Sequence, residues 1–269
     1  MNATLYRQMM SVYLKGFLNY AFGSAFYILL MLWLYPGIAD NVKAIDDIVN
    51  SMPAGVGRAF GLNGYGTAEA FISGEYYGLI LVLILAIVCV QLSTQLMAKL
   101  VDQGSMAYLL STRTTRAKVA ISQAAVLASG LLLIFAVTIA AGALGKMWFL
   151  GDEFPFDMGR FLVMNAAAFL LFFAVGGISF LVSSLANDEK KAMGISGAIT
   201  FGFFSLDLLG KLSDKLDWLR DVSIFALYRP GEIVNGTAHL ALPFVALAAI
   251  GLASFALAVA LFRRRDLPL

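Results

Sequence analysis

No charged residue occurs between Lys15 and Asp40, and the same silence recurs over 76–98, 119–145, 161–187 and 233–262, with a shorter stretch over 192–206. About 20 apolar residues carry a helix across a ~30 Å hydrocarbon core. The pattern therefore predicts six transmembrane helices at about 16–39, 76–98, 119–145, 161–187, 192–210 and 233–262. In lipid every backbone polar group must be satisfied internally, and a helix does this within one segment. The expected fold is an all-α membrane protein, with residues 1–269 as a single transmembrane domain. The fifth span is the weakest signal, because Asp207 and Lys211 interrupt it, and a tilted or broken outer end is expected there.

Lys and Arg favour the cytoplasmic flanks of membrane helices. With six spans, one set of flanks holds Arg7, Lys15, Lys99, Arg113, Arg116, Lys118, Lys190, Lys191 and the run Arg263 to Arg265, against Asp102, Asp188, Glu189 and Asp266 alone. The opposite set holds the remaining acids, among them Asp46, Asp47, Asp152, Glu153, Asp214 and Asp217. Both termini are accordingly expected in the cytoplasm. Trp33, Trp148 and Trp218 then all fall on the outer side, at the headgroup level that amphipathic rings prefer.

Three segments outside the spans read as surface helices. Over 2–16, Leu5, Met9 and Tyr13, followed by Phe17, repeat every four positions while Arg7, Gln8 and Lys15 stay polar, which fits an interfacial helix leading into the first span. Because Arg7 and Lys15 precede a span without a small-residue cleavage pattern, that span is expected to be retained. Over 211–221, Leu212, Leu216 and Leu219 share a face opposite Asp214, Lys215, Asp217 and Arg220, predicting a short amphipathic helix before Pro230. The outer loop over 40–75 contains Gly61, Gly64 and Gly66 and reads as partly irregular.

Composition agrees: hydrophobic residues make up 60% of the chain and charged residues 13%, with a mean hydropathy of +0.83. No polar interval is long enough for a soluble domain. One cysteine, Cys89, and one histidine, His239, exclude a disulfide framework and a His/Cys metal cage. The net charge of +2 gives no reason to expect a nucleic-acid partner.

The third surface segment carries the candidate chemistry. It reads DQGSMAYLLSTRTTRAKVAISQ from Asp102 to Gln123. Gly104 and Ser105 can cap a helix start, Met106, Tyr108, Leu109 and Leu110 supply an apolar turn, and Arg113, Arg116 and Lys118 a basic rim. Exposed apolar groups beside basic ones suit docking into another protein; packing of Met106 to Leu110 on the membrane or on neighbouring spans is the plainer alternative.

In this loop the chain resembles the membrane subunits of ABC-2-type ABC exporters. Their usual pattern is an acidic residue, Gly-Thr or Gly-Ser, a short apolar helix ending Leu-Leu-Ser, a Pro and a closing Arg. Asp102, Gly104, Ser105, Leu109, Leu110, Ser111 and Arg116 match it, whereas Arg113 stands where the Pro is common and Gln123 where a Lys is frequent. The stretch FGLNGYG…SGEYYGL, the Ser-Ser-Leu and charged hinge over 183–191, and the end ALFRRRDL over 260–267 extend the resemblance along nearly the whole chain. It implies a permease subunit in the cell membrane, bacterial in origin, that pairs with a second permease copy or paralogue and with two cytoplasmic ATP-binding subunits. The loop from Gly104 to Arg116 would hold the coupling helix and the amino-terminal helix would be the connecting helix. ATP and Mg would bind the partner subunit, with no cofactor in this chain: Gly142 to Lys146 does not have phosphate-loop spacing.

Gly194, Ala198 and Gly202 recur every four residues on the fifth span and predict close helix packing, either with another helix of this chain or with a second subunit. Gly176 and Gly177 pose the same choice. Gln95, Asn165, Phe173, Thr200 and Phe204 are candidates to line a pathway for a hydrophobic or amphipathic compound such as an antibiotic, peptide or lipid; lipid-facing phenylalanine and local hydrogen bonding are the alternatives. Two rival activities follow from the residues. Gly194-Ile195-Ser196-Gly197 spells the Gly-x-Ser-Gly string of rhomboid intramembrane proteases, but Ser196 and His239 are expected at opposite membrane faces, beyond the ~3 Å reach that such chemistry needs. An ion-coupled secondary transporter would place ionisable groups within its spans, where only Asp207 is expected.

Overall fold

The computed structural model describes residues 1–42, 47, 51, 56, 66–111 and 114–266. Expectations resting on Gly61, Gly64, Asp46 and Arg113 lie outside the described residues. Among those described there is no β-strand, and six helices are long and apolar enough to cross a membrane. They are α1 (Ala3–Ala39), α2 (Ala68–Asp102), α4 (Arg116–Leu150), α5 (Met158–Leu185), α6 (Glu189–Leu212) and α8 (Ala241–Arg264). The short helices α3 (Ser105–Ser111) and α7 (Pro230–Asn235) lie between them.

Polar side chains start most of these helices. Asn2 accepts from the amides of Thr4 and Leu5, and Thr67, Thr115, Asp157 and Asp188 cap α2, α4, α5 and α6 in the same way. The interfacial helix expected over 2–16 and the first span form one helix: α1 is continuous over 37 residues. Its amino-terminal half is nevertheless inclined. Asn2 donates to Ser122 on α4, while the ring of Phe17 lies against Gly130. About 15 residues of α1 thus pass only about 8 of α4, or ~22 Å of helix against ~12 Å at 1.5 Å per residue.

The charge-free runs misplace two boundaries. α2 begins at Ala68 rather than near 76, because Glu69 and Glu75 lie on the helix, Glu69 being only 3% exposed. It passes through a π-helical stretch, Ser73–Ile80, and breaks locally at Met97, where the amide of Ala98 donates to Ser183 Oγ at 3.0 Å. The sixth span begins at Ala241 rather than 233, since Gly236 takes a left-handed conformation that ends α7.

α2 and α5 form the core, each with 61% of its most apolar window buried, against 22% for α6 and 28% for α8. Glycines set the closest approaches. Gly177 of α5 meets Gly251 of α8, where an added Cβ would lie 2.9 Å from a backbone carbonyl oxygen, and Gly176 faces Leu127 and Cys89. Both glycines therefore serve packing within the chain. Gly130, Gly142 and Gly145 of α4 similarly receive Phe17, Phe161 and Leu32.

α6 runs unbroken to Leu212 because Asp207, 3% exposed, is neutralised in place. Its carboxylate lies 2.6 Å from Lys211 Nζ and 3.3 Å from Arg220 Nε, and Arg220 also reaches Asp217 at 3.2 Å. Arg220 belongs to a 3-10 helix, Asp214–Val222, in the stretch where a short amphipathic helix is expected; Leu216 and Trp218 are exposed. Removing a buried ion-pair partner strands the opposite charge. Asp207→Ala is expected to cost about 2–3 kcal/mol, at the low end because Lys211 and Arg220 retain some water contact, read as a lower thermal midpoint in detergent. Asp207→Asn should lose less.

Candidate coupling site

One end of the bundle gathers the start of α1, the end of α2, α3, the start of α4, the α5–α6 junction and the end of α8. Six long-range hydrogen bonds join these pieces. Asn2 Nδ2 donates to Thr114 Oγ1 at 2.9 Å, the Glu189 amide to Asp102 Oδ2 at 3.1 Å, and Arg116 Nη1 to the Arg265 carbonyl at 2.6 Å. Arg265 in turn donates to the carbonyls of Ser184 and Ala186, which end α5, and to Asn187 Oδ1. A cation suits the carbonyl-rich end of a helix. Burial draws the Arg265 guanidinium below its ordinary value.

On this platform stands α3. Gly104, at φ +70°, makes the turn out of α2 in a conformation that favours glycine, and its carbonyl accepts from the Ala107 amide. Ser105 is the first helical residue. Met106 is fully buried, Leu109 and Leu110 are half-buried, and Tyr108 is 80% exposed. The helix is thus held by one side and presents an aromatic residue on the other. Lys99 and Glu189, 3.7 Å apart, add a link from α2 to α6 beside it. Arg116 is not a free member of a basic rim, since its guanidinium is turned to the Arg265 carbonyl.

The other predicted residues do not converge. Asn165 is fixed in the core, accepting from the Tyr77 hydroxyl at 2.7 Å and donating to the Phe161 carbonyl at 2.8 Å. Phe173 packs on Phe169, Phe255 and Gly251. Gln95 lies near the α3 end of α2, where its carbonyl accepts from Tyr13. Thr200 is buried and Phe204 packs edge-on against Phe225. Gly194, Ala198 and Gly202 are exposed, and Gly194 and Gly202 have open space where a side chain would be, so no described residue of this chain packs on that face. Ser196 donates to the Ser179 carbonyl at 3.5 Å inside the bundle, whereas His239 is exposed at the opposite end, which removes the protease arrangement.

Spacing did not point to the cavity of about 230 Å³ beside His239, walled by Ala167, Leu227, Ile233, Leu240 and Phe244 with Arg229 and Glu232 at its polar side. Its walls come from α5, α7 and the approach to α8, so only the folded chain brings them together.

Six apolar helices, two of them forming a buried core, with a short helix held out at one end, make this a multi-pass membrane protein. The chain belongs to the ABC-2 family transporter proteins, whose family model matches residues 10–267. That family works as the membrane component beside a separate cytoplasmic ATP-binding subunit. No curated protein matches the chain.

Proposed function

We propose that this chain is the permease subunit of an ATP-driven exporter of a hydrophobic or amphipathic compound, energised by ATP-binding subunits that dock on α3. The observation that carries the reading is the geometry of α3: Met106 anchors it, Tyr108 projects from it, and Asp102 and Lys99 tie its root to the start of α6. A push on Tyr108 is thereby delivered to α6, one of the least buried spans. The basic flanks support a cytoplasmic position for this end and for both termini. The open face of Gly194, Ala198 and Gly202 supports pairing with a second permease along α6, where small residues let backbones approach.

Inside-out vesicles carrying the complete complex should accumulate a fluorescent amphiphile when ATP is supplied and continue to do so after ionophores collapse the ion gradients. Uptake driven by an imposed ion gradient without ATP would favour the ion-coupled reading, for which the buried Glu69 on α2 speaks. Gly194→Leu with Gly202→Leu is expected to leave the monomer's thermal midpoint unchanged and to lower the paired fraction at least about tenfold, ~1.4 kcal/mol, measured by mass photometry in detergent.

A further inference from the structure

The cavity beside His239 is large for a packed bundle. Interiors at native density leave few voids bigger than a water molecule, and an apolar cavity of ~150 Å³ suffices to take up benzene; this one measures about 230 Å³. Its shape follows from the chain. Pro230 starts α7, the left-handed Gly236 ends it after six residues, and the amide of Thr237 returns to the Glu232 carbonyl at 3.0 Å. The stretch from Ala226 to Phe244 therefore curves around a space that α5 closes with Ala167, a methyl group only.

The lining divides into apolar walls and a charged rim. Leu227, Ile233 and Phe244 supply hydrocarbon and aromatic surface, whereas Arg229, Glu232 and His239 supply the polar groups. Arg229 Nη1 donates to Glu232 at 3.2 Å and its Nε to the Ala226 carbonyl at 3.0 Å. The two side chains remain 49% and 45% exposed. A cation and a carboxylate thus stand together at the rim, each able to make further hydrogen bonds. On the apolar side, Leu242 both lines the cavity and is 75% exposed, and Val245 and Leu252 continue its exposed surface along α8. Such a surface on a membrane helix faces hydrocarbon, so an alkyl chain reaches the cavity sideways from the lipid.

We propose that this cavity binds a phospholipid whose head carries a primary ammonium group. One acyl chain occupies the apolar space, the phosphate meets Arg229 and His239, and the ammonium donates to Glu232. A rim of one cation and one carboxylate matches a head of one phosphate and one ammonium. A purely anionic head leaves Glu232 facing a like charge, and a quaternary ammonium has no N–H to give it. The site lies at the end of the bundle away from α3, goes beyond the export reading and does not depend on it.

The test uses the full chain, delipidated in detergent, without any ATPase. Cys89 is the sole cysteine and is fully buried, so a thiol-reactive dye reports unfolding at one place. The thermal midpoint is followed as dioctanoyl phosphatidylethanolamine is added, and again with the dioctanoyl phosphatidylcholine and phosphatidylglycerol lipids and with chain-free glycerophosphoethanolamine. The expected result is a saturable rise with phosphatidylethanolamine, half-saturation at least about tenfold higher for the other two lipids, and no rise with the free head. Glu232→Gln removes one member of a half-exposed pair that adds little to stability, and should bring the phosphatidylethanolamine response to the phosphatidylcholine level. Ala238→Phe fills the cavity from its half-buried wall and should abolish the response while leaving the lipid-free midpoint equal or higher. No rise with phosphatidylethanolamine, an equal rise with all three lipids, or a full response in Ala238→Phe would overturn the site. Should Ala238→Phe fail to fold, unchanged half-saturation in Glu232→Gln would overturn it equally.

Discussion

Gly251→Leu is expected to unfold the α5–α8 pair at temperatures where the native chain is stable. A Cβ at Gly251 would overlap the ring of Phe173, and it would lie 3.2 Å from the Phe173 carbonyl oxygen. The ring can shift, the backbone cannot. On the other side of the contact, a Cβ at Gly177 would stand 2.9 Å from the Gly251 carbonyl and 3.2 Å from Ser254 Cβ. In lipid no hydrophobic force drives helices together, so close packing of this kind carries the association. Overpacking a filled core costs about 1–3 kcal/mol and more where backbone must move. Gly251→Leu and Gly177→Leu should therefore each lose about 3 kcal/mol, with Gly251→Ala milder. Dye labelling of the buried Cys89 during a thermal ramp checks this, and a midpoint equal to the native one would refute the contact.

The second large effect separates the two sides of α3. Tyr108→Asp places a charge on a side chain that is 80% exposed, and should leave the thermal midpoint within experimental error. Met106→Asp places one in a fully buried position and should cost several kcal/mol through an unpaired buried charge. In the complex with its ATP-binding subunit, Tyr108→Asp is expected to reduce substrate-stimulated ATP hydrolysis at least about tenfold, the loss of ~1.4 kcal/mol of coupling. Full stimulation in a normally folded Tyr108→Asp complex would remove α3 from the coupling path.

Charge-free runs and basic flanks reveal the six-helix plan because hydrocarbon punishes charge wherever it lacks a partner. The same logic fails where the partner comes from elsewhere in the chain. Asp207 looks like an interruption until Arg220 folds back on it, and Glu69 and Glu75 look like a loop although α2 already carries them. Apolarity likewise does not show where an apolar run turns, so the left-handed Gly236 separates α7 from α8 inside a stretch without charges. The periodicity over 2–16 marked an apolar face correctly, but whether the helix breaks before the first span depends on contacts with Ser122 and Ser129 on α4.

The candidate site divides in the same way. Gly104, Met106 and Tyr108 were legible as a turn and a short apolar helix, because glycine and periodicity act locally. The roles of Arg116 and Arg265 were not, since the atoms they bind are backbone carbonyls that folding alone brings near. Small residues show the limit most clearly: Gly177 and Gly194 occupy similar apolar surroundings in sequence, yet one meets Gly251 and the other meets open space.

Affinity isolation of the tagged chain from mild detergent, compared with its Tyr108→Asp variant, tests the central claim most directly. Co-purification of an ATP-binding subunit with the native chain and its loss from a variant of unchanged thermal midpoint is the predicted result. An ATP-binding subunit retained equally by both would contradict docking on α3, and its absence from both would contradict ATP-driven transport by this chain.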